Sequence, residues 1–135
     1  MANRILLVDN YPNVAGLVGQ WLEARGNDVR IARDAFQTLR LAEDFRPDLI
    51  LIDIDVAVIK AREVVRHIRR RRWGKEPAII AQTGWPDPKI APALFDGVLP
   101  RPIDYDELSE LLISLDNMSV RRSASVRSLS LSVHE

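Results

Sequence analysis

Asp9, Asn10, Asp53, Asp55, Thr83 and Arg101 are the residues whose types and positions could do chemistry together. Asp9 closes the apolar run Ile5 to Val8, with Asn10 beside it. Asp53 interrupts the run Leu49 to Ile54, with Asp55 two residues on. A carboxylate at the end of such a run is costly to desolvate unless it is paired, hydrogen-bonded or bound to a metal. Acids converging on one edge suit a hard divalent cation, and Mg2+ commonly takes one or two carboxylates while keeping waters. Thr83, just past the run Ala78 to Ala81, and Arg101, just past Val98-Leu99, would bring a hydroxyl and a cation to the same edge. That set suits a phosphoryl group, because metal and cation neutralise its oxygens while the hydroxyl hydrogen-bonds one of them. Taken singly, Asp53 could be a strand-ending acid bonded to nearby amides, Thr83-Gly84 a turn and Arg101 a surface charge. Their joint placement is what points to a site.

The placement depends on the elements around them. The runs Ile5 to Val8, Leu49 to Ile52 and Ala78 to Ala81 do not alternate with polar residues, which predicts central parallel strands buried on both faces. Val29 to Ala32 and Val98-Leu99 predict shorter strands nearer the sheet edges. Helical spacing follows in Val14, Leu17, Val18, Trp21 and Leu22, then in Phe36, Leu39, Ala42 and Phe45, then in Val64, Val65 and Ile68, each set predicting a helix that covers one face. Leu108, Leu111, Leu112 and Leu115 predict a last helix opened by an Asp104–Glu107 capping box, and Asp34 is expected to cap the second helix. The segment with Pro86, Pro88 and Pro92 does not suit a regular helix. Repeated strand-helix alternation makes the class α/β, with right-handed crossovers and helices on both faces. In open parallel sheets the site lies at the carboxyl ends of the strands, where these acids fall.

The chain has 135 residues, one domain's worth. A hydrophobic fraction of 47% and 19 basic against 19 acidic residues describe a globular domain with a real core, not a basic nucleic-acid binder. Arg69 to Arg72 form the strongest basic cluster, and at a helix end they read as solvated charges that complement its dipole. There is no cysteine, which removes disulfides, thiolate metal sites and a cysteine nucleophile, and suits a reducing cytoplasm. Ile5 to Val8 is too short for a signal segment or a membrane span. From residue 117 the composition turns to serine and arginine, a tail in which Leu129, Leu131 and Val133 alternate with Ser128, Ser130 and Ser132. That tail reads either as a disordered end or as a strand able to join a sheet edge. Arg121-Arg122-Ser123-Ala124-Ser125 has the look of a basophilic kinase site, a pattern too short to carry weight.

Ile5-Leu6-Leu7-Val8-Asp9-Asn10-Tyr11-Pro12, Pro47-Asp48-Leu49-Ile50-Leu51-Ile52-Asp53, Pro77-Ala78-Ile79-Ile80-Ala81-Gln82-Thr83-Gly84 and Leu99-Pro100-Arg101-Pro102 resemble, in this order and spacing, the receiver domain of two-component response regulators. The resemblance covers about residues 4–115, so a receiver at 1–116 and a tail at 117–135 are expected. It implies a flavodoxin-like, doubly wound sheet of five parallel strands in the order 2-1-3-4-5. It implies that Asp53 accepts a phosphoryl group from a histidine kinase or phosphotransfer protein in a phosphorelay. Asp9, Asn10, Asp53 and the backbone carbonyl of Asp55 take the positions that hold Mg2+, Thr83 that of the switch hydroxyl, and Arg101 that of the family lysine. The implied product is a change of surface read by a downstream target protein, with a homodimer through the same face a further option. No enzyme acting on an external substrate, no nucleic-acid partner and no membrane are expected, and the cytoplasm is the expected location. On this reading the chain is a single-domain regulator.

Several positions depart from the family pattern. The second acid after the first strand is Asn10, which weakens the field on Mg2+ unless the Asp55 side chain compensates. Arg101 keeps the lysine's charge but not its shape. Val56 to Ala61 lacks the usual Met-Pro and Asp-Gly pairs, and Val98 stands where an aromatic switch residue is expected. Two readings remain: a working, atypical receiver, or a pseudo-receiver that keeps the fold as a phosphorylation-independent docking module. An enzyme of the same fold is disfavoured, since there is no phosphate-binding loop after the first strand and no Gly-x-Ser-x-Gly elbow.

Overall fold

The unbroken apolar runs form the middle of a parallel sheet. Its strands are β1 (Arg4–Val8), β2 (Asp28–Ala32), β3 (Leu49–Asp53), β4 (Ala78–Thr83) and β5 (Gly97–Pro100), in the order β2-β1-β3-β4-β5. This is the expected order, and the two weakest strands, β2 and β5, are its edges. The computed structural model describes residues 3–85 and 94–117. The proline-rich stretch and the tail from residue 118, with its expected alternating strand, lie outside the described residues.

Helices α1 (Pro12–Ala24), α2 (Ala35–Phe45) and α3 (Ala61–Arg69) make the crossovers. Side chains two apart along a strand share a face. Leu6, Val8, Ile50, Ile52, Ile79 and Ala81 pack in one cluster with Ala42 of α2 and Val64, Val65 and Ile68 of α3. Leu7 points the other way, toward α1, where a Cβ added to Gly19 would touch Leu7, Val29 and Ile31. Helices therefore cover both faces, as expected. Asp34 caps α2, its carboxylate accepting from the Gln37 amide at 2.8 Å.

Two of the expected buried faces are only partly as expected. In α1 the buried positions are Ala15, Val18, Gly19 and Leu22, while Val14 and Leu17 are exposed. In α2 Thr38 and Ala42 are buried, and Phe36 is 73% exposed. Val18, Leu22 and Ala42 are buried as expected, and the small residues Ala15, Gly19 and Thr38 share the inward face with them.

Arg69 corrects a third expectation, because it is a staple and not a solvated charge. Its guanidinium donates to the carbonyls of Gly74 and Pro77 at 3.0 Å each, to the Leu94 carbonyl at 3.3 Å and to the Asp96 carboxylate at 2.9 Å. The same Asp96 oxygen accepts the Ile79 amide at 2.8 Å. The end of α3 is thus tied to the start of β4 and the approach to β5. A Cβ on Gly74 would overlap the Ile68 carbonyl, so only glycine fits this tight return.

The described residues 103–117 belong to a second compact unit. Its helix α4 (105–117) has Leu108, Leu112 and Leu115 as buried positions. The Asp104 carboxylate accepts from the amides of Asp106 and Glu107 at 2.8 and 3.4 Å, the half of the capping box that Asp104 was expected to supply. No helix among the described residues is long and apolar enough to cross a membrane.

Replacing Arg69 by Met should lower unfolding free energy by about 3 kcal/mol, since it strips several partly buried carbonyls and a carboxylate of their donor. Exposed Arg70→Ala should change it by less than about 0.5 kcal/mol. Urea unfolding of both variants checks this, and equal small effects would refute the staple.

Candidate functional site

Strand register delivers the site residues to one edge. Val8 pairs with Ile52, so Asp9 and Asp53 lie side by side at the ends of β1 and β3. Asp53 pairs with Gln82, and Thr83 with Pro100. Thr83 therefore comes next along β4, and Arg101 follows directly on β5.

Asp9 and Asp53 are both buried. One Arg101 guanidinium nitrogen lies 2.6 Å from Asp9 Oδ2 and 3.2 Å from Asp53 Oδ2, bridging the pair. Each carboxylate has a second donor on its other oxygen: the Tyr11 amide on Asp9 at 2.8 Å, the Asp55 amide on Asp53 at 2.9 Å. Loss of hydration still pushes the Asp53 carboxyl above the usual carboxylate range. The Asp55 amide and the Arg101 charge oppose that rise, while the Asp9 and Asp55 charges add to it. Arg101 Nε is the one buried side-chain donor or acceptor without a hydrogen-bond partner among the described residues.

A second cluster sits beside the first. The Thr83 hydroxyl donates to Asp55 Oδ1 at 2.7 Å, and the Gly84 amide donates to Asp55 Oδ2 at 2.8 Å. Thr83 Oγ1 in turn accepts the Trp85 amide at 3.0 Å. The sequence marked Asp55 for its carbonyl and gave no sign that its side chain would take the hydroxyl. Spacing alone cannot show which way a carboxylate turns once the strand has ended. Asn10 is exposed and joins neither cluster among the described residues, and Val98 is exposed on the edge strand.

The donor set bears on Mg2+ directly. Among the described residues no three acidic or histidine side chains converge as a ready cage, because the Asp55 carboxylate is turned to Thr83 and Gly84. Asp9 and Asp53 do converge on a single cationic group. Two carboxylates are a donor set that Mg2+ accepts when waters complete its shell, so the chemistry of Asp9 and Asp53 fits the ion.

The response regulator receiver domain model matches residues 5–113. This chain belongs to the response regulator receiver family. Receiver domains are signalling modules of two-component systems that interact with histidine kinases and downstream effectors, and phosphorylation and Mg2+ binding are typical of them. Over 72 residues the receiver is 33% identical to the alkaline phosphatase synthesis transcriptional regulatory protein PhoP of Bacillus subtilis, covering 53% of this chain and 30% of that one. Among solved structures it is similar to the response regulator TrrA of Thermotoga maritima in complex with Mg2+ and BeF, with TM-score 0.73 and 27% identity over 83% of this chain and 97% of that one. The fold is also that of the chemotaxis response regulator CheY4 of Vibrio cholerae, with TM-score 0.77 and 24% identity over 85% of this chain and 99% of that one. The receiver spans only 12% to 30% of the length of the first curated relatives.

Removing the buried charge at Asp53 should stabilise the fold. A carboxyl whose folded-state pKa is raised favours folding below the ordinary carboxylate pKa, and this contribution is lost as pH rises through the raised value. Asp53→Asn should therefore melt a few degrees above the wild type at pH 7, with the gap closing as pH falls below the carboxylate range. A gap that does not depend on pH would contradict this.

Proposed function

We propose that this receiver accepts a phosphoryl group on Asp53 and signals by protein-protein contact. The observation that carries the reading is the Asp9–Arg101–Asp53 cluster: a buried acceptor carboxylate with an acid and a cation at hydrogen-bonding distance. In the reaction an Asp53 oxygen attacks phosphorus, the O–P bond of an acyl phosphate forms and the N–P bond of a phosphohistidine breaks. The departing imidazole nitrogen keeps the electron pair and takes a proton. Mg2+, held by Asp9, Asp53 and the Asp55 carbonyl, would supply charge neutralisation at the transferring oxygens. Arg101 supplies a second positive charge there, and its unpartnered Nε is a donor that a phosphoryl oxygen can satisfy. Thr83 offers the hydroxyl. The TrrA structure, which holds Mg2+ and BeF, supports the same chemistry here.

The partner bearing the phosphohistidine, a histidine kinase or phosphotransfer protein, would meet the protein beside α1. Tyr11, Val14 and Leu17 are exposed there, and the Tyr11 amide is itself bonded to Asp9. An apolar patch next to the acceptor suits a docking surface. A downstream target protein would read the phosphorylated form.

The pseudo-receiver reading has its own support. Arg101 already neutralises the acid pair, Asn10 removes a metal-binding charge, and Thr83 is engaged by Asp55. Such a domain would dock without phosphorylation.

Intact mass after incubation with a small phosphodonor and Mg2+, with rapid acid quench, separates the two. A one-phosphate gain in the wild type that is lost in Asp53→Asn is the expected result. No gain, or a gain that survives the substitution, would refute the acceptor role.

A further inference from the structure

We propose that the Asp55 side chain is an internal stand-in for the phosphoryl group, holding the two donors at the end of β4 until a phosphoryl on Asp53 displaces it. The proposal rests on Asp53 being the acceptor. Three hydrogen bonds carry it. The Asp55 amide is bonded to Asp53 Oδ1 at 2.9 Å, so Asp55 is tethered to the acceptor. Its two carboxylate oxygens take the Thr83 hydroxyl at 2.7 Å and the Gly84 amide at 2.8 Å. A carboxylate and a phosphoryl group are both anionic and rich in acceptors. Thr83 has one hydroxyl proton and Gly84 one amide proton, so neither can serve both acceptors fully.

The competition has a direction. A phosphoryl on Asp53 replaces the single carboxylate charge by about two on the acyl phosphate oxygens and moves them closer to the Asp55 carboxylate, and like charges at this range repel. Release of Asp55 frees Thr83 and Gly84 to turn to the phosphoryl, and the Trp85 amide, bonded to Thr83 Oγ1 at 3.0 Å, must follow the hydroxyl. Asp55 is thus a positioning residue, acting on the acceptor site through Thr83 and Gly84. Its carboxylate does not make up for the acid missing at Asn10, because it is occupied elsewhere.

Two readouts on the full chain test this. In amide exchange followed by NMR, Gly84 should exchange about tenfold faster in Asp55→Ala than in the wild type, the scale of one lost hydrogen bond to a charged acceptor. Asp55→Asn, which keeps one acceptor oxygen and the local shape, should lie between. Titration with beryllofluoride and Mg2+, read by Trp85 fluorescence, should show binding several-fold tighter in Asp55→Ala. The backbone carbonyl offered to the metal is unchanged in that variant. The gain should shrink in the Thr83→Ala background, where the contested hydroxyl is gone.

An unchanged Gly84 exchange rate overturns the proposal. So does a gain that persists undiminished without Thr83, which would be plain charge removal, or weaker Mg2+ binding in Asp55→Ala, which would make the side chain a metal ligand. If the wild type binds beryllofluoride and Asp55→Ala binds it no better, the stand-in fails while the acceptor reading survives. If neither binds, both fail.

Discussion

Two carboxylates buried side by side need a cation between them. Asp9 and Asp53 end adjacent strands whose register leaves them no choice of neighbour, and both are shielded from water. Without a counter-charge the repulsion and the lost hydration would oppose folding at neutral pH. Arg101 supplies that charge from the end of the edge strand, with one nitrogen in reach of both acids. The sheet order matters for this reason: β1 and β3 bring the acids together, and β4 spaces Arg101 so that its long side chain can reach back over them.

A guanidinium is a more committed counter-ion than an ammonium, since its planar fork spreads charge over several donors and never loses its proton. With Asn10 in place of a second acid, the site carries less negative charge for a metal to neutralise and already holds a tethered cation. On the proposed reading, Mg2+ would compete with a side chain for its place instead of filling an open cage. Beside it, Asp55 occupies the hydroxyl and amide of Thr83 and Gly84. Apart from Arg101 Nε the buried polar side-chain atoms of the site are partnered, and on the proposed reading a phosphoryl group would rearrange two sets of partners. The proposed acceptor role would thus have its threshold in Arg101 and Asp55.

Much of this was legible in the sequence. Ile5 to Val8, Leu49 to Ile52 and Ala78 to Ala81 read as central strands, because a short apolar run without alternation needs cover on both faces. Asp9, Asp53, Thr83 and Arg101 were legible as a set because each directly follows or ends a strand. Val14, Leu17 and Phe36 were misread because helical spacing reports an apolar stripe but not which edge of it turns inward, and the buried edge includes Ala15 and Gly19 in α1 and Thr38 in α2. Arg69 was hidden among four consecutive arginines, since nothing in composition tells which one folds back onto carbonyls. The Asp55–Thr83 bond joins residues 28 apart through side-chain direction alone, which no pattern of residue types encodes.

Arg101 is the resident cation of the acid pair, and on the proposed reading Mg2+ would take over the same duty. Thermal unfolding of Arg101→Gln, with and without millimolar Mg2+, tests it most directly. Without the metal the variant should be less stable than the wild type by about 3 kcal/mol, the scale of leaving a buried charge unpartnered. Added Mg2+ should restore most of that loss while raising the wild type's melting temperature much less. A variant as stable as the wild type without Mg2+, or one that Mg2+ stabilises no more than the wild type, would contradict the account.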